Sequence, residues 1–237
     1  MNNSVVNNLA TFSDIGVPWT LRDTGKGLLV VIAGTGVLAL GVVQAVRLTD
    51  GPTAITVFLV SALLEGMLLL AVYLFGPRRY GQSWGALGLQ ATLNNGVALA
   101  LWVFLASLSF AVVYAAVVTT FDIDSLKPPQ LPDQALSTYP LRIIGFVVIV
   151  LLAPVAEEVF FRGFLLPAFA QRWGFLGGAT LASGLFAVSH VAPGAILPAF
   201  VAGMLFAWLY RRTGSLWNCC LAHGAQNALA FAVTVAL

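Results

Sequence analysis

From Trp173 to Tyr210 the chain runs 38 residues with no acidic or basic side chain except His190. No water-facing surface can be made from such a run. A soluble domain carries about 25% charged residues and needs them to cover its outside. Here nine acids and eleven bases serve 237 residues, 8% in all, against 59% hydrophobic. Lipid must be the main solvent, and the chain is expected to be all-α, since only helices and closed barrels satisfy their backbone groups in a bilayer.

A helical span needs about 20 mostly apolar residues. Gly27 to Val46, Thr53 to Gly76 and Gly96 to Phe121 are three such runs, the second carrying one acid, Glu65. The segment 122–140 is polar, has prolines at 128, 129, 132 and 140, and reads as an exposed loop. A fourth run extends from Leu141 to about Arg172. The 38-residue run is too long for one span, and Pro193-Gly194 divides it into a fifth helix (about 175–191) and a sixth (about 196–210). Ser215 to Leu237 is a seventh. The expectation is a single membrane domain over residues 1–237, with a polar tail at 1–22 and about seven spans. Gly178/Ala182 and Ala179/Ser183, at four-residue spacing, permit close helix packing.

With seven spans, Arg22, Lys26, Arg78, Arg79, Arg162, Arg172, Arg211 and Arg212 fall on the N-terminal side, and Arg47, Lys127 and Arg142 on the other. Eight against three puts the N-terminus in the cytoplasm, by the rule that cytoplasmic loops collect Lys and Arg. A multi-pass protein of the plasma membrane is expected. No Lys or Arg precedes Arg22 and the first 20 residues hold no compact apolar core, so the N-terminus does not read as a cleavable signal peptide. A net charge of +2, spread thinly, gives no reason to expect nucleic acid as a partner. Adjacent Cys219 and Cys220 imply no disulfide framework.

The informative residues are those that lipid rejects. A charged Asp, Arg or Lys at the centre of a span costs roughly 2.5–3.5 kcal/mol and is a functional candidate by default. Glu157 and Glu158 lie near the middle of the fourth helix, about 100° apart around it. Glu158 and Arg162, four apart, share a face and can pair, leaving Glu157 available in a cavity. The alternative is that both acids merely pair with Arg162 to fix helix packing. His190 and His223 are the sole histidines and both lie inside spans; Asn227 shares a face with His223. A carboxylate can act as general base on water, a histidine can share the proton, and a second histidine with an amide can donate to an oxyanion. Those are the parts for peptide hydrolysis.

Glu157-Glu158-Val-Phe-Phe-Arg162, Phe186-Ala-Val-Ser-His190 and His223-Gly-Ala-Gln-Asn227 are EExxxR, FxxxH and HxxxN motifs. In that order they resemble the CPBP family, the CAAX proteases and bacteriocin-processing (Abi) enzymes that include the type II CAAX prenyl endopeptidases. Ser83-Trp84-Gly85-Ala86-Leu87-Gly88-Leu89 looks like the W-x-x-LGL stretch of the same proteins. The diagnostic part covers about 141–230, a catalytic core with its site between helices four, five and seven. The resemblance implies that Glu157 activates water with help from His190, that His223 and Asn227 form the oxyanion site, and that Glu158 and Arg162 support the fourth helix. It implies a cavity open to the cytoplasm and a membrane-embedded or lipidated peptide substrate. A metal-free glutamate mechanism is the favoured reading. The alternative is zinc held by Glu157, His190 and His223, although no HExxH and no carboxylate to orient either histidine is visible.

Other readings start from other residues. Glu65 could line the same cavity or hydrogen-bond a neighbouring helix. Cys219 shares a face with His223 and offers a thiol nucleophile on paper, although buried cysteines are usually inert. The intramembrane acids would also suit an ion-coupled transporter, against which no internal repeat is found. A non-catalytic scaffold or immunity factor is the third class.

Overall fold

The computed structural model describes residues 16–48, 54–91, 95–127 and 136–236. Among these residues the secondary structure is helical and contains no strand. Helices α1 (Leu21–Leu48), α2 (Ala54–Phe75) and α3 (Gly96–Thr120) match the first three apolar runs. The first 15 residues and prolines 128, 129 and 132 lie outside the described residues.

A helical stretch of 51 residues follows, Tyr139–Ser189. Drawn straight it would reach about 75 Å, more than twice the hydrocarbon thickness. It folds back at Gly174, whose φ of 69° and ψ of 171° lie outside the helical region. That conformation is open essentially to glycine alone. The arms are α4 (residues 139–173) and α5 (residues 175–189). A Cβ on Gly178 would stand 2.7 Å from the Ala170 backbone nitrogen, so the arms touch on either side of the turn. Gly178, Ala179, Ala182 and Ser183 are all buried, as their small-residue spacing predicts.

Helices α6 (Pro193–Thr213) and α7 (Leu216–Ala236) complete the bundle. Pro193-Gly194 begins α6 and does not merely separate it from α5: proline's fixed φ and missing N–H suit a first helical turn. Six helical stretches among the described residues are long and apolar enough to cross a membrane, the hairpin counted as one. Leu29, Leu40, Leu101, Trp102 and Val113 stand exposed on the outer faces. This is a multi-pass integral membrane protein.

Alternate helix ends meet on common sides. Thr20 and Asp23 cap α1: the Asp23 carboxylate accepts from the Thr20 amide (2.9 Å) and hydroxyl (2.8 Å). It also accepts from Tyr80 and pairs with Arg79, tying the start of α1 to the end of α2. The Trp84–Leu87 turn, part of the W-x-x-LGL stretch, lies on that same side. Leu87 accepts from the Tyr210 hydroxyl and Gly88 from the Leu216 amide. On the other side, the Tyr114 hydroxyl donates to Leu126. One charge changes its meaning. Arg162 is buried, only 1% exposed, and is not a loop cation; without it the charge bias is seven against three.

Gly174→Ala is expected to destabilise the protein by about 1–3 kcal/mol through its backbone conformation. Gly178→Leu, which drives a side chain into the facing backbone, should cost more. Thermal unfolding in detergent ranks the two.

Candidate active site

Two stretches of α4, Phe146–Leu152 and Val159–Leu165, are wound as π-helix around the α-helical turn Ala153–Glu158. π-Helical turns are rare and occur mostly at functional positions. Pro154 begins the middle turn and has no N–H, so a carbonyl one turn back must find another donor. Asn227 supplies it: its Nδ2 donates to the Ile149 oxygen at 2.8 Å. A carboxamide has two N–H groups, and one remains.

Glu158 is fully buried, and its Oε1 serves two partners. Arg162 Nη1 donates to it at 2.9 Å, the pairing that four-residue spacing predicts. His223 Nδ1, from α7, lies at 2.9 Å from the same oxygen. A carboxylate beside a guanidinium only accepts, so Nδ1 carries the proton and His223 Nε2 is turned outward. Nε2 faces Glu157, 3.6 Å from its Oε2. The Glu157 side chain keeps 19% of its exposure where Glu158 keeps none. A buried carboxylate orienting a histidine was missed in the sequence; the two residues are 65 apart and nothing local connects them.

Aromatic rings enclose this network. The Arg162 guanidinium lies 4.3 Å from the Phe186 ring centre and 5.3 Å from that of Phe206. Phe206 stacks on His223 at 5.3 Å, and Phe186 meets it edge-on at 5.7 Å. Phe186 also touches His190, at 4.8 Å. The phenylalanine of FxxxH thus contacts both histidines and the arginine of EExxxR. Cation–π contacts of this kind contribute about 2 kcal/mol where water is excluded.

His190 caps the end of α5, and its Nδ1 is 2.8 Å from the Phe186 carbonyl. A carbonyl accepts, so Nδ1 donates and Nε2 is left with its lone pair. The next residue, Val191, has φ of 60°, an outlier for a β-branched side chain and a mark of strain beside a candidate site. Glu157, Glu158, Arg162 and His223 are therefore in direct contact, whereas His190 joins them through Phe186 and Asn227 through α4. Cys219 is buried and donates its thiol to the Phe206 carbonyl, not to His223.

As zinc ligands Glu157, His190 and His223 do not fit. Among the described residues no three His, Cys, Asp or Glu side chains gather at metal-binding spacing. His223 has the orienting carboxylate a metal-bound histidine needs, and Glu157 is at hand, but the third donor is not in reach.

Residues 139–229, from the start of α4 into α7, match the family model described as "Type II CAAX prenyl endopeptidase Rce1-like". The resemblance carried by the three motifs holds over this segment, which contains all seven motif residues. Neither the curated proteins nor the solved structures yield a match.

Arg162→Met would leave Glu158 buried without its cation and is expected to cost about 3–5 kcal/mol. Glu158→Leu with Arg162→Met should recover much of that stability, yet leave His223 without its anchor. Thermal unfolding of the single and double variants checks this.

Proposed function

We propose that the protein is an intramembrane endopeptidase that hydrolyses a peptide bond of a membrane-associated or lipidated substrate. The observation that carries this is Glu157 facing Nε2 of a histidine whose other nitrogen is held by a buried carboxylate. The match of the same segment to a prenyl endopeptidase family supports it.

In this reading Glu157 takes a proton from water, and the oxygen adds to the scissile carbonyl carbon. The carbonyl electrons move onto its oxygen. Glu157 then returns the proton to the amine nitrogen as the C–N bond breaks. His190, with Nε2 free, assists the first transfer. His223 in its imidazolium form donates from Nδ1 to Glu158 and from Nε2 to the oxyanion. Asn227 adds its second N–H. Glu158 and Arg162 hold this geometry and touch no reacting atom. The N-terminus is cytoplasmic, in the plasma membrane, and the cavity opens to that side; the seven-to-three charge bias supports that orientation.

Glu157→Gln is expected to lower cleavage by a factor of about 10²–10⁴, the usual contribution of a general base, with the fold intact. The check compares protein termini in membrane fractions of cells carrying wild type or variant at equal abundance. Termini present only with the wild type support the reading; identical termini sink it. Because the donor set does not gather three ligands, cleavage should survive EDTA and phenanthroline. Loss restored by zinc would contradict that.

A further inference from the structure

Glu65 is an acid that the three motifs do not explain and that lies outside the matched segment 139–229. It sits on α2 in line with Phe58, Leu68 and Val72, the buried face of that helix. That face packs on Ala153–Glu158 and on both π-helical stretches of α4. Glu65 is 7% exposed, and its Oε2 has no hydrogen-bond partner among the described residues. The turn it packs on, Ala153–Glu158, carries Glu157.

A buried polar atom without a partner carries a cost; among the described residues Glu158 Oε2, Arg162 Nη2, Ser183 Oγ and the Asn218 carboxamide share it with Glu65 Oε2. What sets Glu65 apart is that the other two buried acids among the described residues, Asp23 and Glu158, each serve several donors, whereas no described residue donates a hydrogen bond to Glu65. The rest of the buried face of α2 is apolar, Phe58, Leu68, Ala71 and Val72, and a leucine on that face would carry no such penalty. Water is the small polar molecule that both carboxyl groups can hold between two helices, and water is what the proposed reaction consumes.

We propose that Glu65 is a further catalytic residue, its free oxygen holding the water molecule that Glu157 activates. This rests on the hydrolase reading above and deepens it. Glu157 takes the proton, while Glu65 fixes the water oxygen on the line of attack, so that two helices, α2 and α4, define where the nucleophile waits. The first three helices then contribute to the chemistry, and α4 to α7 alone do not hold the complete site.

The test uses the full-length protein with Glu65→Leu, Glu65→Gln and Glu157→Gln, reading thermal midpoint in detergent and the wild-type-only termini. Glu65→Leu should raise the midpoint by about 2–4 °C, the shift expected when a modest penalty is removed from a chain of this size. Its cleavage should fall on the order of 100-fold. Glu65→Gln, which still hydrogen-bonds water, should recover most of it, and with a defined peptide the loss should lie in kcat with KM unchanged. A lowered midpoint for Glu65→Leu would show a structural partner and overturn the proposal. So would full cleavage by Glu65→Leu while Glu157→Gln is inactive. Full cleavage by Glu157→Gln is a different failure: it removes the hydrolase reading itself, and this inference with it.

Discussion

The structure depends on one buried carboxylate being paired. Glu158 cannot sit in the bundle alone: an unpaired charge in a low dielectric costs several kcal/mol, and removing a partner exposes that cost at once. Two donors from two helices meet it on a single oxygen. Arg162 fixes the phase of α4, and His223 fixes α7 against it. The consequence reaches past stability. With Nδ1 committed to Glu158, the other face of His223 is turned to Glu157, and that adjacent acid keeps 19% of its exposure. Two adjacent glutamates thus stand in different environments, one buried and paired with Arg162, the other partly exposed beside His223.

The rest of the fold brings these groups to one level. The turn at Gly174 folds a 51-residue helix into a hairpin, which sets α5 and its Phe186 beside α4. The π-helical turns flank the two glutamates, and Pro154 leaves a carbonyl for Asn227 to meet. Phe186 and Phe206 seal the ion pair from lipid and set the histidine rings. The Trp84–Leu87 turn closes the bundle beside Tyr210 and Leu216.

Much of this was legible in the sequence, for reasons that also mark where reading stops. Apolar runs report spans because the bilayer penalises charge, so the helices and the division of the 38-residue run could be read. Glu158 with Arg162 could be read because four-residue spacing is a helix-surface property. Glu158 with His223 could not, since that contact depends on how α4 and α7 pack. The same blindness hid an orienting carboxylate. Arg162 was counted as a loop charge because a sequence shows a cation but not its burial. The π-helical turns left no trace, since a helix apolar on every side has no periodic face to reveal a change of winding. The division at Pro193 holds, and the structure adds that Pro193 itself starts α6.

The central claim is that Glu158 holds His223 by Nδ1 and turns Nε2 toward Glu157. With two histidines in the chain, ¹⁵N-histidine labelling gives two imidazoles, and His190→Gln assigns them. Solid-state NMR in bilayers then reads the protonation of each nitrogen. The account predicts a proton on His223 Nδ1 in every state, and loss of that preference in Glu158→Gln. A neutral His223 with bare Nδ1 and a proton on Nε2 would contradict it.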